Sequence, residues 1–500
     1  MKKNIFRLAT LLLTVLVFLC CFPARVEAVG EEQSYSYNFD LENNALPAPD
    51  PYEVRYRIDP ISMGLGRLKN PSGLFVKDND LYLCDTGNNR IIQMTISASE
   101  ATLVRIIEGT EEWTLSGPED IFVHDNGDLY ISDTGNQRII WADSELNVKK
   151  FITRPDATVY ESFKDFKPSK LVVTGGDRIY VQANGVNRGL MEFDENGEFV
   201  GFMGASSVTF AWEDYIWKLI STDAQKSQME SFTPTEYNNV ALDPKGLLFV
   251  TTSTFEMADM WAGKANPVRR LNLKGSDILI RNYGNVHGAP TYGDEGPSRF
   301  KDVTVLDNYL YFALDTTRNR IYAYDQQGRS LYVFGGYGTR SGYFKTPTAL
   351  EHWGRDLLVL DSGTGLITVL KPTTYGSTVM QAIEAYDCGN YEESYECWQE
   401  VLRLNGNCIM AYDGIGKIML RNGDYTGALD YLEYAFDRYY YSKAFGQYRK
   451  DWIETYLIWI ILAVVAFVVI RLVIKIYNKE RGALEEYEER KRRFLEKQGQ

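Results

Sequence analysis

The chain has 500 residues, 45% of them hydrophobic and 24% charged, and a formal net charge of −14. It is long enough to bury a large core, and its acidity argues against nucleic-acid binding and against clinging to anionic lipid. Six cysteines, only four of them beyond residue 28, are too few and too unevenly placed for a disulfide framework in a chain of this size.

Lys2, Lys3 and Arg7 precede an uncharged apolar run from Leu8 to Leu19, and Val26-Glu27-Ala28 offers a small-residue cleavage site. This pattern predicts a secretory signal peptide over 1–28, followed by a linker over 29–51. Cleavage after Ala28 would leave Cys84, Cys388, Cys397 and Cys408. Cys84, at a strand end, is expected to be a small core residue.

From residue 52 onward one phrase returns: LYLCDTGNNRII at 81–92, LYISDTGNQRII at 129–140 and, more loosely, LYFALDTTRNRIYAY at 310–324. Each copy reads as strand, tight turn, strand, at intervals of roughly 45 to 60 residues, the period of a propeller blade. The cycle can be followed six times, with inner strands beginning near Leu74, Ile121, Leu171, Val240, Val303 and Leu350. The sixth round stops after three strands, while YEVRYRI at 52–58 is a lone alternating strand before the first. Pairing the two removes a free sheet edge, so the expected fold is a six-bladed β-propeller over 52–373, its N-terminal strand closing the last blade. The DTGNNR and DTGNQR turns, with YVFGGYGTRSGYFKTPTAL at 332–350, resemble the NHL-repeat family of six-bladed propellers. The resemblance is strong in rounds one, two, five and six. It is weak in round three, where Ala183 stands in place of the turn Asp, and in round four, where the turn carries a long insertion.

Turns give way to helical spacing after residue 373. GNYEESYECW at 389–398 and GDYTGALDYL at 423–432 are offset by 34 residues. With Gly416, Ala428 and Ala435 at close-approach positions, residues 374–450 resemble two tetratricopeptide repeats, the first degenerate because Ser394 and Val401 replace alanines. Such repeats imply either a peptide-holding surface or a stiff spacer. A transmembrane helix is predicted over 453–476, with a cytoplasmic tail over 477–500. Arg471, Lys475, Lys479 and Arg481 lie beyond the span, whereas Asp451 and Glu454 offset Arg449 and Lys450 before it, so the positive-inside rule puts the propeller and repeats outside. With the signal segment (+3), the segment from Arg471 onward (+3) and Glu454 set aside, the exported part carries −19.

Asp85 and Arg90, Asp133 and Arg138, and Asp315 and Arg320 share a five-residue separation, which reads as a structural staple within each turn. His124 and His352 are expected after inner strands and His287 before one, on opposite faces of the ring, so no three-histidine metal site is expected. Three inserts, 205–233, 253–267 and 284–299, emerge on one face as an aromatic lid, with Trp212, Tyr215, Trp217, Trp261 and Tyr292 as candidate ligand-binding residues for a sugar or a peptide.

The expected function is a membrane-anchored, extracytoplasmic binding or scaffold protein with no cofactor. Proteins of similar architecture in Gram-positive bacteria look like accessories of sugar uptake, so the implied partner is a cell-surface protein such as a sugar ABC transporter or its solute-binding protein. The alternative is an enzyme. Propellers related to NHL proteins include lactonases and lyases with a divalent cation in the central channel, and Glu119, Asn239 and Asp302 at the channel mouth could hold Ca²⁺ or Mg²⁺.

Overall fold

A computed structural model describes residues 36–40, 44–155, 165–204, 237–252, 255, 266–281, 288 and 296–498. The chain divides into two compact units, Met1–Ser377 and Thr378–Gln500.

The first unit is mainly β and forms the expected six blades. The inner strands are Gly73–Lys77, Pro118–Val123, Pro168–Val173, Asn239–Leu242, Phe300–Val305 and Pro347–Trp353. Each packs beside the next and the sixth beside the first, which closes the ring. The strand Tyr52–Ile58 pairs antiparallel with Leu366–Pro372 as the fourth strand of blade six, in a register running from Ile58 opposite Ile367 to Tyr52 opposite Pro372. Tyr52 pins this closure: its ring stacks on Phe334 of blade five at 5.1 Å, and its hydroxyl donates to the Arg355 carbonyl at 3.0 Å.

Apolar side chains from facing blades fill the spaces between sheets. Leu74, Leu81 and Leu83 of blade one meet Leu358, Leu360 and Val369 of blade six, and Ile91 and Cys84 meet Ile121 and Ile131 of blade two. Cys84 is thus the small core residue its position suggests. No blade could bury these faces alone, and this is the physical basis of the repeat.

The DTGN turns show why their residues recur. The Asp133 carboxylate accepts from Ser116 N at 2.8 Å, Asn136 Nδ2 at 2.9 Å and Arg138 Nε at 2.8 Å, and Asp85 does the same with Lys69, Asn88 and Arg90. Thr86 and Thr134 each donate to the proline carbonyl that begins the next blade, at 2.8 and 2.6 Å. Gly87 and Gly135 approach the preceding loop so closely that an added Cβ would lie 2.6 and 2.5 Å from its carbonyl oxygens. Each turn therefore fixes its own blade and ties it to the next.

Blade five departs from this scheme. Asp315 accepts from Ser298 Oγ at 2.7 Å, Arg299 N at 3.0 Å and Thr317 N at 2.8 Å, and the nearby guanidinium is that of Arg318 at 3.8 Å. Arg320, read as the third staple, instead lies over the Tyr37 ring at 5.1 Å. The reason is an addition within the segment read as linker. Tyr37–Phe39 and Ala45–Pro47 form a hairpin on the outer strand of blade five, making a six-stranded sheet and covering an edge.

The second unit is helical: α1 Thr374–Asp387, whose first turn belongs to the first unit, is followed by α2 Tyr391–Leu404, α3 Ile409–Asn422, α4 Tyr425–Tyr434 and α5 Arg438–Gln498. Gly423 ends α3 in the left-handed region at φ 86°, and Asp424 caps α4 by accepting from Gly427 N. Gly416 lets α3 lie against α4, because a Cβ there would fall 2.6 Å from Leu432 Cγ. Lys417 is buried between Asp413 and Asp437, with the Tyr440 ring 4.4 Å from its ammonium. The apolar stretch of α5 is long enough to cross a membrane, and none of it is buried by the protein. Cys388, Cys397 and Cys408 are all free thiols.

Candidate functional site: the channel entrance

Four of the six inner strands start with the same two-step geometry. In blades two, three, five and six the ladder skips one residue near its start, so Glu119, Ser169, Lys301 and Thr348 are the extra residues of β-bulges. Bulges re-aim side chains and gather near functional sites. Ser72 and Asn238 occupy the matching positions of blades one and four. These six residues ring the entrance to the central channel. One residue further on stand Gly73, Asp120, Lys170, Asn239, Asp302 and Ala349.

This inner tier is two-sided: Ala349 and Gly73 are small, while the four residues from Asp120 to Asp302 are polar and at most 7% exposed. Asp120 accepts from Lys170 Nζ at 3.2 Å and from Leu171 N at 3.1 Å. Asp302 accepts from Asn239 Nδ2, from Val303 N at 2.8 Å and from Leu350 N at 2.8 Å. Each carboxylate thereby caps a backbone N–H of the next blade. Gly73 makes room for this, because a Cβ there would lie 3.1 Å from Asp120 Oδ1.

Burial pushes the Asp302 carboxyl up to about 6, against the lowering influence of Lys170 and the Leu350 N–H. Burial likewise raises Asp120, again opposed by Lys170. Burial alone would lower the Lys170 ammonium, but Asp120 and then Asp302 outweigh it and hold it above the usual lysine range. At the outer tier, Lys301 is solvent-exposed yet walled by protein. Its ammonium is held below the usual range first by those surroundings and then by Lys170.

The cation alternative can be judged on these contacts. Asn239 and Asp302 do come together, but as donor and acceptor to one another. Glu119 turns to Ser169 Oγ and to Asn184 Nδ2 at 3.4 Å, in blade three. Ca²⁺ needs six to eight oxygens and Mg²⁺ six, whereas here both Asp302 oxygens already accept N–H groups and the Lys170 ammonium already holds Asp120. Glu119, Asn239 and Asp302 do not fit a divalent ion in this arrangement. Among the described residues no group of three or more His, Cys, Asp or Glu converges as metal ligands.

His124 follows its inner strand, with Nε2 3.3 Å from the Thr174 carbonyl oxygen. His352 lies inside the strand of blade six, not after it. Its Nδ1 is 3.0 Å from Glu351 Oε1 and 2.7 Å from Thr304 Oγ1. Burial would lower its pKa, but the Glu351 contact outweighs this and raises it. His287 and the five lid candidates Trp212, Tyr215, Trp217, Trp261 and Tyr292 lie outside the described residues. Sequence reading passed over Lys170 and Lys301, although both share the offset from the inner apolar residue that singled out Glu119 and Asp302.

No family model matches the sequence, and no curated protein matches it. Among solved structures, virginiamycin B lyase from Staphylococcus aureus is similar at 13% identity and TM-score 0.36, over 60% of this chain and 80% of that one. Regucalcin from Agrobacterium tumefaciens, a calcium-binding protein, is similar at 9% identity and TM-score 0.39, over 65% and 95%. A putative 6-phosphogluconolactonase from Bacteroides uniformis is similar at 11% and TM-score 0.34, over 69% and 92%. Likeness at this level carries no functional argument.

Proposed function

We propose that this chain is a single-pass protein of the plasma membrane whose NHL-like propeller and helical repeats stand outside the cytoplasm as binding or scaffolding surfaces. The observation that carries the reading is α5, whose apolar stretch is fully exposed and long enough to span a membrane. Such a stretch needs an apolar medium that the protein does not supply. The cationic flank from Arg471 to Arg481 supports a cytoplasmic tail, and the signal segment at 1–28 agrees. The helix pairs α1–α2 and α3–α4 support the tetratricopeptide-like reading, with α2 and α4 starting 34 residues apart at Tyr391 and Tyr425.

The partner to test first is a sugar ABC transporter or its solute-binding protein. Capture of the full-length chain from detergent-solubilised membranes is expected to bring that partner with it. Protease added to intact protoplasts is expected to remove the propeller and leave a small membrane-bound fragment. A protected propeller would overturn the orientation, and capture without any membrane or solute-binding partner would overturn the scaffold role.

A further inference from the structure

The six residues at the channel entrance differ in what they leave unused. Ser72 Oγ donates to the Glu119 carbonyl at 2.8 Å, and Thr348 Oγ1 to the Pro71 carbonyl at 3.3 Å. Asn238 donates to the Phe300 carbonyl at 3.0 Å and accepts from Thr251 Oγ1 at 2.6 Å, while Ser169 donates to Glu119 Oε2. The neutral residues are therefore committed within the ring.

The two charged ones are not. Glu119 has hydrogen bonds to Oε2 and none to Oε1 among the described residues. Lys301 has neither a hydrogen bond nor an ion pair among them and is exposed. Both ride on β-bulges, and they belong to blades two and five, which stand opposite one another in a ring of six. No ion pair joins them, although each lies within the other's electrostatic reach. Beneath them two hydrogen-bonded pairs, Asp120 with Lys170 and Asn239 with Asp302, form a polar floor.

We propose that the channel entrance binds a small zwitterion, of the class of short peptides with free termini, its ammonium on Glu119 and its carboxylate on Lys301. The proposal rests on the binding reading above and names the ligand class. A simple anion at this mouth would meet Glu119 and the two aspartates of the floor. A simple cation would meet Lys301 and Lys170. A ligand carrying both charges satisfies both sides through charge-assisted hydrogen bonds. Its carboxylate also offsets the repulsion between Lys301 and the Lys170 ammonium. Because the two charges come from opposite walls, the ligand's own charges must be separated by peptide units and not by a single α-carbon.

Calorimetric titration of the full-length chain in detergent, with trialanine, N-acetyl-trialanine and trialanine amide as probes, tests this. Trialanine is expected to bind, and each blocked form to bind at least about tenfold more weakly. Glu119→Gln should erase discrimination against the acetylated probe, and Lys301→Gln discrimination against the amide. Unchanged thermal unfolding of both variants would show that the ring is intact. Absence of trialanine binding to the folded chain, or binding that neither variant alters, would overturn the site. If the folded wild-type chain captures its membrane partner while trialanine fails to bind it, the zwitterion site falls and the scaffold reading stands. Trialanine binding without partner capture would instead uphold the site and overturn the scaffold reading.

Discussion

Asp133 and Asp302 are both carboxylates buried in the ring, at 0% and 7% exposure, yet they belong to different kinds of position. Asp133 recurs as Asp85, Asp315 and Asp361, and each accepts backbone N–H groups of its own blade's leading loop. Asp302 has a counterpart in one blade only, Asp120, and its ring neighbours are a lysine, an amide and two residues without polar side chains. Repeated positions hold each blade in shape. Positions where the blades disagree are not bound to one repeated contact, and there the ring acquires a charge pattern of its own.

The largest expected effect breaks the channel side of this comparison. Lys170 is the ammonium that both Asp120 and Asp302 feel. Lys170→Met keeps much of the side-chain bulk but leaves two buried carboxylates without a counter-charge, a change that costs about 3–5 kcal/mol. Urea unfolding of the full-length chain in detergent, followed through the propeller transition, should show that loss. A cost under about 1 kcal/mol would mean that the carboxylates are already neutral or hydrated.

The second test is a pH dependence. Asp302 titrates near 6 in the folded ring, above its unfolded value. Its contribution is fully present below the unfolded pKa of 3.8, and it is lost as pH rises through about 6. The loss is about 3 kcal/mol, and it flattens above that range. Other carboxylates pull the other way in acid, so the difference between wild type and Asp302→Asn isolates the effect. The gap between the two unfolding midpoints should change between about pH 4 and 6.5. A constant gap would place the Asp302 pKa at its ordinary value.

How much of this was legible follows the same division. The DTGN turns could be read because two copies agree closely, and their Asp, Thr and Gly each have a contact that explains the agreement. The closing strand was legible because Tyr52–Ile58 alternates and the last blade lacked a fourth strand. The positions of Asn239 and Asp302 could be read, but their partners could not. The contact of Asp302 with the Leu350 N–H spans 48 residues, and that of Lys170 with Asp120 spans 50. Lysine is rarely buried, so nothing in the sequence marks Lys170 as a core residue. The docked hairpin was invisible because its three-residue strands are too short to show a period.

On the repeated side of the comparison, Asp133→Ala removes the acceptor of the Ser116 N–H and the partner of Arg138 at once. Leaving such buried donors unpaired costs about 2–3 kcal/mol. Asp85→Ala should cost a similar amount, because its contacts are the same. Equal losses in urea midpoint would confirm that the turns are interchangeable supports. Unequal losses would show that one blade carries a further burden.

The smallest effect separates blade five from its neighbours. Arg138 is tied to a buried carboxylate at 2.8 Å and donates to the Thr114 carbonyl at 2.9 Å. Arg320, at the matching place, lies over the Tyr37 ring instead. Arg320→Met removes a cation–π contact of about 1 kcal/mol but keeps an apolar stem against the ring. The change should therefore show in the hairpin that carries Tyr37. Amide exchange is the measurement that can tell, because the hairpin is held by few ladder bonds and can open without the ring. Faster exchange at Tyr37–Phe39, with unchanged protection in the inner strand Phe300–Val305, is the expected pattern. Equal loosening of both would mean that Arg320 supports the blade as Arg138 does, and that the repeat extends to all three turns after all.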